Sequence, residues 1–288
     1  MPLAPVEGAY LYYEETGQGF PLVFCHEFAG DYGSWEAQVR FFCRRYRVIT
    51  YNARGYPPSG VPSSLEDYSQ DRAVEDLQGL LGHLQIESAH IVGLSMGGSA
   101  ALNFGFAHPS LARSLVLAGT GTGSDHPKEF RRQVRELAQH IEETGIETFA
   151  QEYAQGRTRL PLLRKNPRGW QEFQEALGQH SAQGSALTFR GVQGRRQGIF
   201  EMRNSLRNLK VPTLILCGDE DEPCVNPSVF MKRNIPSSGL VMFPQTGHTM
   251  NLEEPDLFNR TVQEFLTAVE KDAWARRDPT DAGGYLLT

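Results

Sequence analysis

Residues 91–99 read Ile-Val-Gly-Leu-Ser-Met-Gly-Gly-Ser, and the position of Ser95 within them decides the fold. The pattern Gly-x-Ser-x-Gly runs through Gly93, Leu94, Ser95, Met96 and Gly97. An apolar stretch, 89–92, has the look of a strand running in, and the small-residue stretch 99–106 that of a helix running out. Ser95 then falls at a strand-to-helix corner, the geometry of a nucleophile elbow, where strained backbone dihedrals lift a hydroxyl above the sheet. Glycine is needed on both sides, because a Cβ there would strike the neighbouring strand or helix. The start of the helix aims free N–H groups at the same point.

Working outward, residues 21–25 and 47–51 are apolar runs of the kind that buried parallel strands show. Between them lies a predicted helix with Ser34 as its cap and Trp35, Val39 and Phe42 on one face. Val74, Leu77, Leu81 and Leu84 mark a helix lying on a sheet. Strands are predicted again at 114–118, 213–217 and 240–243, and a closing helix carries Phe258, Val262, Phe265, Leu266 and Val269. Between Ser124 and Leu209 helical spacing appears in Phe130, Val134, Leu137 and Ile141 and again in Trp170, Phe173 and Leu177, with no convincing buried strand. The reading is an α/β fold: a mostly parallel central sheet flanked by helices, with residues 1–123 and 210–271 as core, 124–209 as a helical cap and 272–288 as a C-terminal tail. In such sheets ligands bind beyond the carboxyl ends of the strands, and every candidate motif here follows a strand.

The 288 residues are 40% hydrophobic and 22% charged, with a net charge of -6. That is ordinary for a globular chain, argues against a nucleic-acid partner, and leaves no run long enough for a membrane span. Residues 1–7 have neither a basic nor an apolar leader region, so a cytoplasmic location is expected. Cys25, Cys43, Cys217 and Cys224 lack metal-ligand spacing and are expected as reduced, mostly buried thiols. No metal or cofactor is expected. Among the histidines, His83, His90, His108 and His140 are read as structural, and His126 and His180 as cap residues, exposed to solvent in the favoured reading and touching substrate in the other.

A serine hydroxyl needs a base to take its proton and a third group to orient that base. An acidic loop, Asp219-Glu220-Asp221-Glu222, follows the strand at 213–217, and Gly247-His248 follows the strand at 240–243. The order Ser, Asp, His is that of one of the three common triad arrangements.

Taken with His26 and Gly30, the stretch 212–218, and Asn251-Leu252-Glu253 with Pro255, these motifs resemble those of the α/β-hydrolase fold, over nearly all of the chain outside cap and tail. The resemblance implies Ser95, Asp221 and His248 as catalytic residues, Asp221 being selected over Asp219 by its place three residues after the strand-end glycine. It also implies an oxyanion hole built from the backbone N–H groups of Met96 and Phe28. The loop 26–30 departs from the usual His-Gly-x-x-Gly by placing Glu27 where a glycine is common. Either the loop geometry differs there or a cation holds the carboxylate, and Arg54 is the expected partner. Pro57-Pro58 is a second departure, where relatives tend to have a small glycine-containing turn.

Serine rather than aspartate at the elbow points to acyl chemistry. The segment 247–253 resembles esterases, enol-lactonases and cofactor-free perhydrolases, which implies a small-molecule acyl substrate. Hydrolysis of a carbon–carbon bond in meta-cleavage-type dienoates is the alternative, and a non-hydrolytic small-ligand receptor is an alternative of another class. Phe28, Trp35, Phe130, Phe149, Tyr153 and Phe189 are candidates for an apolar substrate pocket. The cap holds fourteen basic and ten acidic residues, a net of +4, read as a solvated helical surface or as steering of an anionic substrate. A homodimer is left open.

Overall fold

A computed structural model of the chain describes residues 1–277. Eight strands form one sheet: β1 (Leu3–Val6), β2 (Ala9–Thr16), β3 (Phe20–Cys25), β4 (Tyr46–Tyr51), β5 (Ala89–Leu94), β6 (Ala112–Ala118), β7 (Thr213–Gly218) and β8 (Ser238–Phe243). Their order is β1-β2-β4-β3-β5-β6-β7-β8. The strands from β4 through β8 pair in parallel, whereas β2 runs antiparallel to β4 and to β1.

Twelve α-helices accompany the sheet among the described residues. Those tied to the strands are α1 (Glu36–Phe42), α2 (Gln70–His83) and α3 (Met96–Ala107). Between β6 and β7 come α4 (Pro127–Thr144), α5 (Ile146–Tyr153), α6 (Leu160–Lys165), α7 (Pro167–Gly178), α8 (Ala182–Thr188) and α9 (Arg203–Asn208), with no intervening strand. After β7 follow α10 (Glu222–Asn234), α11 (Met250–Glu253) and α12 (Pro255–Glu270).

Period-two alternation sorts each parallel strand between two apolar layers. Leu22, Phe24, Val48 and Val92 face α1 and α12, meeting Phe42, Phe258 and Leu266. Val23, Cys25, Ile49 and Ile91 face the opposite way, toward Leu77 of α2 and Phe104 of α3. A third apolar cluster lies within the helical insertion and reaches Phe28 and Met96 at the sheet's carboxyl end.

Several elements differ from expectation. Strand β1 and its turn at Gly8 (φ +72°) precede β2, where the run Tyr10 to Glu15 reads as the first strand from sequence; four residues with one fully buried side chain, Ala4, carry too little alternation to be recognised. Helix α10 contains Pro223 and Pro227, which obscure its period. The cap before α1 is Asp31, whose carboxylate accepts from the N–H groups of Gly33 (2.8 Å) and Ser34 (3.1 Å), so that Ser34 sits inside a 3₁₀ turn. Of the predicted tail, Trp274 is docked: its indole lies 4.7 Å from the Phe265 ring and donates to the Ser237 carbonyl (2.9 Å). Residues 278–288 lie outside the described residues. All four cysteines are free, and Cys43 alone among them is not buried.

His180, expected at the surface, is buried edge-on to Tyr56 with ring centroids 5.2 Å apart. His90 is buried as expected, with Nδ1 2.7 Å from the Ser114 hydroxyl. Burial pushes both imidazoles down to about 4. Each stays neutral in the folded chain while its unfolded counterpart takes up a proton near pH 6.5. Between those values the unfolded state binds more protons, so stability is complete above pH 6.5 and is lost as pH falls toward 4, by roughly 3 kcal/mol per histidine. Urea unfolding at stepped pH is therefore expected to show a falling free energy across this window, with a shallower slope in His180→Leu. A flat profile between pH 6.5 and 4.5 would contradict this account.

Candidate active site

Strand β5 ends at Leu94 and α3 begins at Met96, leaving Ser95 alone at the corner with φ +55° and ψ −109°. A serine in this region costs on the order of 1–3 kcal/mol and persists only where its surroundings dictate it. Here they do. The Ser95 N–H donates to the Ala118 carbonyl on β6 (2.8 Å). A Cβ on Gly93 would stand 2.2 Å from the Gly97 oxygen, and one on Gly97 would stand 2.1 Å from the Cys25 oxygen. Only glycine lets β3, β5 and α3 approach this closely.

Asp221 sits at the N-terminus of α10 and His248 in the loop after β8, so both arrive at the carboxyl edge of the sheet. His248 Nδ1 lies 2.7 Å from Asp221 Oδ2. Asp221 is 1% exposed; burial raises its pKa, but the adjoining imidazole outweighs that and holds it below the usual carboxylate range. An ionised Asp221 can only accept, so Nδ1 carries a proton, and in the neutral ring Nε2 is the acceptor. The main chain of His248 is fixed from three sides. Its N–H donates to the Thr158 carbonyl (3.0 Å), and the flanking N–H groups of Gly247 (2.7 Å) and Thr249 (3.1 Å) donate to the Glu253 carboxylate. Behind the pair stands Gly119 (φ +51°), where a Cβ would lie 3.2 Å from His248 Nδ1.

Asp221, Cys224 and His248 also present potential metal-ligand atoms within 4.8 Å of one another. Burial pushes the Cys224 thiol well above its ordinary value, so it keeps its proton and donates to the Gly119 carbonyl (3.2 Å). A protonated thiol is a poor ligand, and the other two side chains are already bonded to each other.

The loop after β3 is pinned by His26, whose Nδ1 donates to the Glu27 carbonyl (2.6 Å) while Nε2 accepts from the Ala53 N–H (2.9 Å). Glu27 is not among the positive-φ residues, so the position does not require glycine. A cation does hold its carboxylate, but it is Arg159 rather than Arg54. Arg159, from the turn before α6, binds it in bidentate fashion, Nη1 to Oε1 at 2.7 Å and Nη2 to Oε2 at 2.5 Å. Arg54 is instead spent on Asp76 (2.9 and 2.7 Å), a buried pair beneath the loop. Burial alone would raise the Glu27 pKa; the Arg159 guanidinium reverses this and keeps it below the usual range. Glu27 Oε2 stands 3.8 Å from His248 Nε2. Neither the Phe28 nor the Met96 backbone N–H has a hydrogen-bond partner among the described residues.

Ser95, Asp221 and His248 open on one cavity of about 220 Å³. Of the sequence's pocket candidates, Phe28, Phe130, Tyr153 and Phe189 line it. Two candidates do not. Trp35 lies beneath the sheet, with ring centroids 4.8 Å from Phe24 and 6.0 Å from Phe258, because its 3₁₀ turn directs it into the α12 layer. Phe149 forms a second layer behind Phe28 (6.3 Å) and Tyr153 (5.2 Å). Sequence reading missed Thr158, Arg159, Gln193 and Arg196, which also line the cavity, and the brace at Glu253. Two signals were available: the anomaly at Glu27, which calls for a cation without saying which, and the net positive charge of the insertion, which singles out no one group.

The sequence profile of the alpha/beta hydrolase fold family matches residues 21–255. A Bacillus subtilis protein provisionally named 2-succinyl-6-hydroxy-2,4-cyclohexadiene-1-carboxylate synthase is 28% identical over 86% of this chain and 90% of its own length. The 3-oxoadipate enol-lactonase 2 of Acinetobacter baylyi is 26% identical over 85% of this chain and 88% of its own. Among solved structures, a thermophilic esterase from Thermogutta terrifontis superposes with a TM-score of 0.81 at 28% identity, covering 91% of this chain and 94% of that one.

Removing one member of a buried ion pair leaves an uncompensated charge, whereas removing both does not. Arg159→Met is expected to lower unfolding free energy by about 3–5 kcal/mol, and Glu27→Gln with Arg159→Met to recover much of that loss. Urea denaturation of the two singles and the double reads the coupling; effects that simply add would show that the pair is not a unit. The corresponding cycle between Glu27 and Arg54 is expected to be additive.

Proposed function

This chain belongs to the alpha/beta hydrolase fold family, and from that premise we propose that it is a serine hydrolase cleaving a carboxylic ester or lactone through an acyl-enzyme on Ser95. The observation that carries the proposal is the buried Asp221–His248 hydrogen bond opening on the same cavity as the Ser95 hydroxyl. Enol-lactonase and esterase relatives support the bond type. The synthase name of another relative is a reminder that at 26–28% identity no single substrate carries over.

In the proposed sequence His248 Nε2 takes the Ser95 proton as Oγ bonds to the acyl carbon, and Asp221 stabilises the resulting imidazolium. The former carbonyl oxygen becomes an oxyanion and accepts from the Phe28 and Met96 N–H groups, whose lack of partners supports that role. Collapse breaks the bond to the leaving oxygen, which receives the proton from His248. Water, deprotonated by the same imidazole, then attacks the acyl carbon, and collapse breaks the bond to Ser95 Oγ, which takes the proton back from His248 as the acid leaves. The Glu27 carboxylate next to the imidazole would oppose an oxyanion if it stood alone; Arg159 neutralises it, so the local field stays permissive.

A panel of p-nitrophenyl esters of rising length, beside an enol-lactone and a meta-cleavage dienoate, separates ester and lactone cleavage from carbon–carbon cleavage. Ser95→Ala and His248→Ala are each expected to lower kcat on the order of 10⁴- to 10⁶-fold with folding intact. A fluorophosphonate is expected to add one covalent label, seen by intact mass, that disappears in Ser95→Ala. A loss of only a few-fold, or labelling that survives the substitution, would overturn the assignment of Ser95.

A further inference from the structure

The helical insertion carries its positive charge into ion pairs with the core. Arg159 meets Glu27, Arg164 meets Glu220 (2.6 Å), Lys165 meets Glu254 (2.5 Å) and Arg195 reaches Glu66 (3.6 Å). Arg196 is different. It lines the cavity beside Ser95 and His248, yet no carboxylate lies within 4.0 Å of its guanidinium among the described residues. Its Nη2 donates to the Thr122 carbonyl (2.9 Å), its Nη1 donates to the Ser99 hydroxyl (3.3 Å), and the group lies 5.4 Å from the centre of the Phe130 ring. These contacts aim the fork without neutralising it.

The address of that fork is set by Ser99. The Ser99 N–H donates to the Ser95 carbonyl (2.9 Å), so Ser99 stands one helical turn, roughly 5–6 Å, along α3 from the corner, and the guanidinium lies a hydrogen bond beyond the Ser99 hydroxyl. A second polar group faces the same space. Gln193 is buried and lines the cavity, and its Oε1 is buried with no hydrogen-bond partner among the described residues. Gln193 closes a π-helical turn, Phe189–Gln193, whose first residue stacks on Phe28 at 3.8 Å. Single π turns of this kind re-aim side chains and recur at functional sites. A buried amide oxygen without a donor and a half-buried guanidinium without a counter-ion are each costly unless something else completes them. An oxyanion group would accept from the planar fork of Arg196 and from Gln193 Nε2, while Gln193 Oε1, an acceptor, takes a donor such as water or a ligand hydroxyl. Burial lowers the Arg196 pKa only to about 10, so the cation persists at neutral pH.

We propose that Arg196 and Gln193 form a carboxylate-binding subsite, and that the substrate is an ester or lactone bearing a second, ionised carboxylate. This deepens the hydrolase reading and rests on it. The roughly one-turn spacing from Ser95 suits a carboxylate separated from the reacting carbonyl by roughly two to three methylene groups.

Two measurements test the subsite. The first uses the Ser95→Ala protein and needs no turnover: calorimetric binding of glutarate, with butyrate as the singly charged and butyramide as the neutral control. Glutarate is expected to bind, and Arg196→Gln in that background to weaken it about 10- to 100-fold, as loss of a charge-assisted hydrogen-bonding partner does. The second compares kcat/KM for the p-nitrophenyl monoester of glutaric acid with that for p-nitrophenyl valerate, and for 4-acetoxybenzoate with that for 4-methylphenyl acetate. In at least one pair the anion is expected to be preferred, and Arg196→Gln to lower that preference about 10- to 100-fold; Gln193→Leu should lower it to a smaller extent. Equal binding of glutarate and butyramide, or an anion preference unchanged by Arg196→Gln, would overturn the subsite. Glutarate binding that depends on Arg196 in a protein that cleaves neither these esters nor the enol-lactone and esters of the first panel would keep the subsite and overturn the hydrolase reading instead.

Discussion

The site depends on one steric constraint: three backbones meet around Ser95 more closely than any side chain allows. A β-carbon on Gly93 or Gly97 would lie about an ångström inside contact distance of a carbonyl oxygen on a neighbouring segment. Because those positions are bare, α3 can begin immediately after β5 and lie against the end of β3. Its unpaired N–H groups then face the same point as the Ser95 side chain. The strain at Ser95 is a consequence of this closeness, held in place by the bond to Ala118 on the adjacent strand. Local sequence therefore dictates a backbone shape, and that shape presents the hydroxyl.

Long-range partners complete the arrangement, and they come from two directions. The core supplies Asp221 and His248 from the ends of β7 and β8, where parallel pairing places successive loops side by side. The insertion supplies Thr158 and Arg159, consecutive residues that grip the His248 main chain and the Glu27 carboxylate respectively. One short turn thus fixes both the imidazole and the loop that bears Phe28. Burying Glu27 and Arg159 together costs desolvation of two charges, which the bidentate geometry offsets. What the pair supplies is a defined position of the insertion over the strand ends.

The fold was legible wherever a feature is encoded locally. Buried parallel strands announce themselves as apolar runs, α2 and α12 as three- and four-residue spacing, and the corner as glycines around a serine. Features set by tertiary contact were not. Strand β1 is too short to show a period, α10 is masked by its prolines, and His180 has a polar side chain that nothing local marks as buried. Trp35 illustrates the same limit, since a bulky aromatic near the loop looks like a pocket residue until the direction of its turn is known. At Glu27 the chemistry was readable, because a carboxylate in a tight loop needs a cation, but its partner is 132 residues distant and no spacing rule selects Arg159 over Arg54.

The charge of the insertion shows how a compositional signal divides once coordinates assign each group. A net of +4 over residues 124–209 reads as a diffuse field, yet four of its cations meet core carboxylates at discrete places. Exposed pairs such as Arg164–Glu220 add little stability individually. Their distribution around the rim is complementary, positive above and negative below, and so favours one seating of the insertion over others. Steering by net charge would act through all of these groups and fade with salt. A half-buried guanidinium with no counter-ion acts differently, because it sits within the cavity wall, is weakly screened, and discriminates by what it leaves unsatisfied. The difference between a charged surface and a charged site thus rests here on Arg196, the cavity-lining cation that the core's carboxylates do not reach.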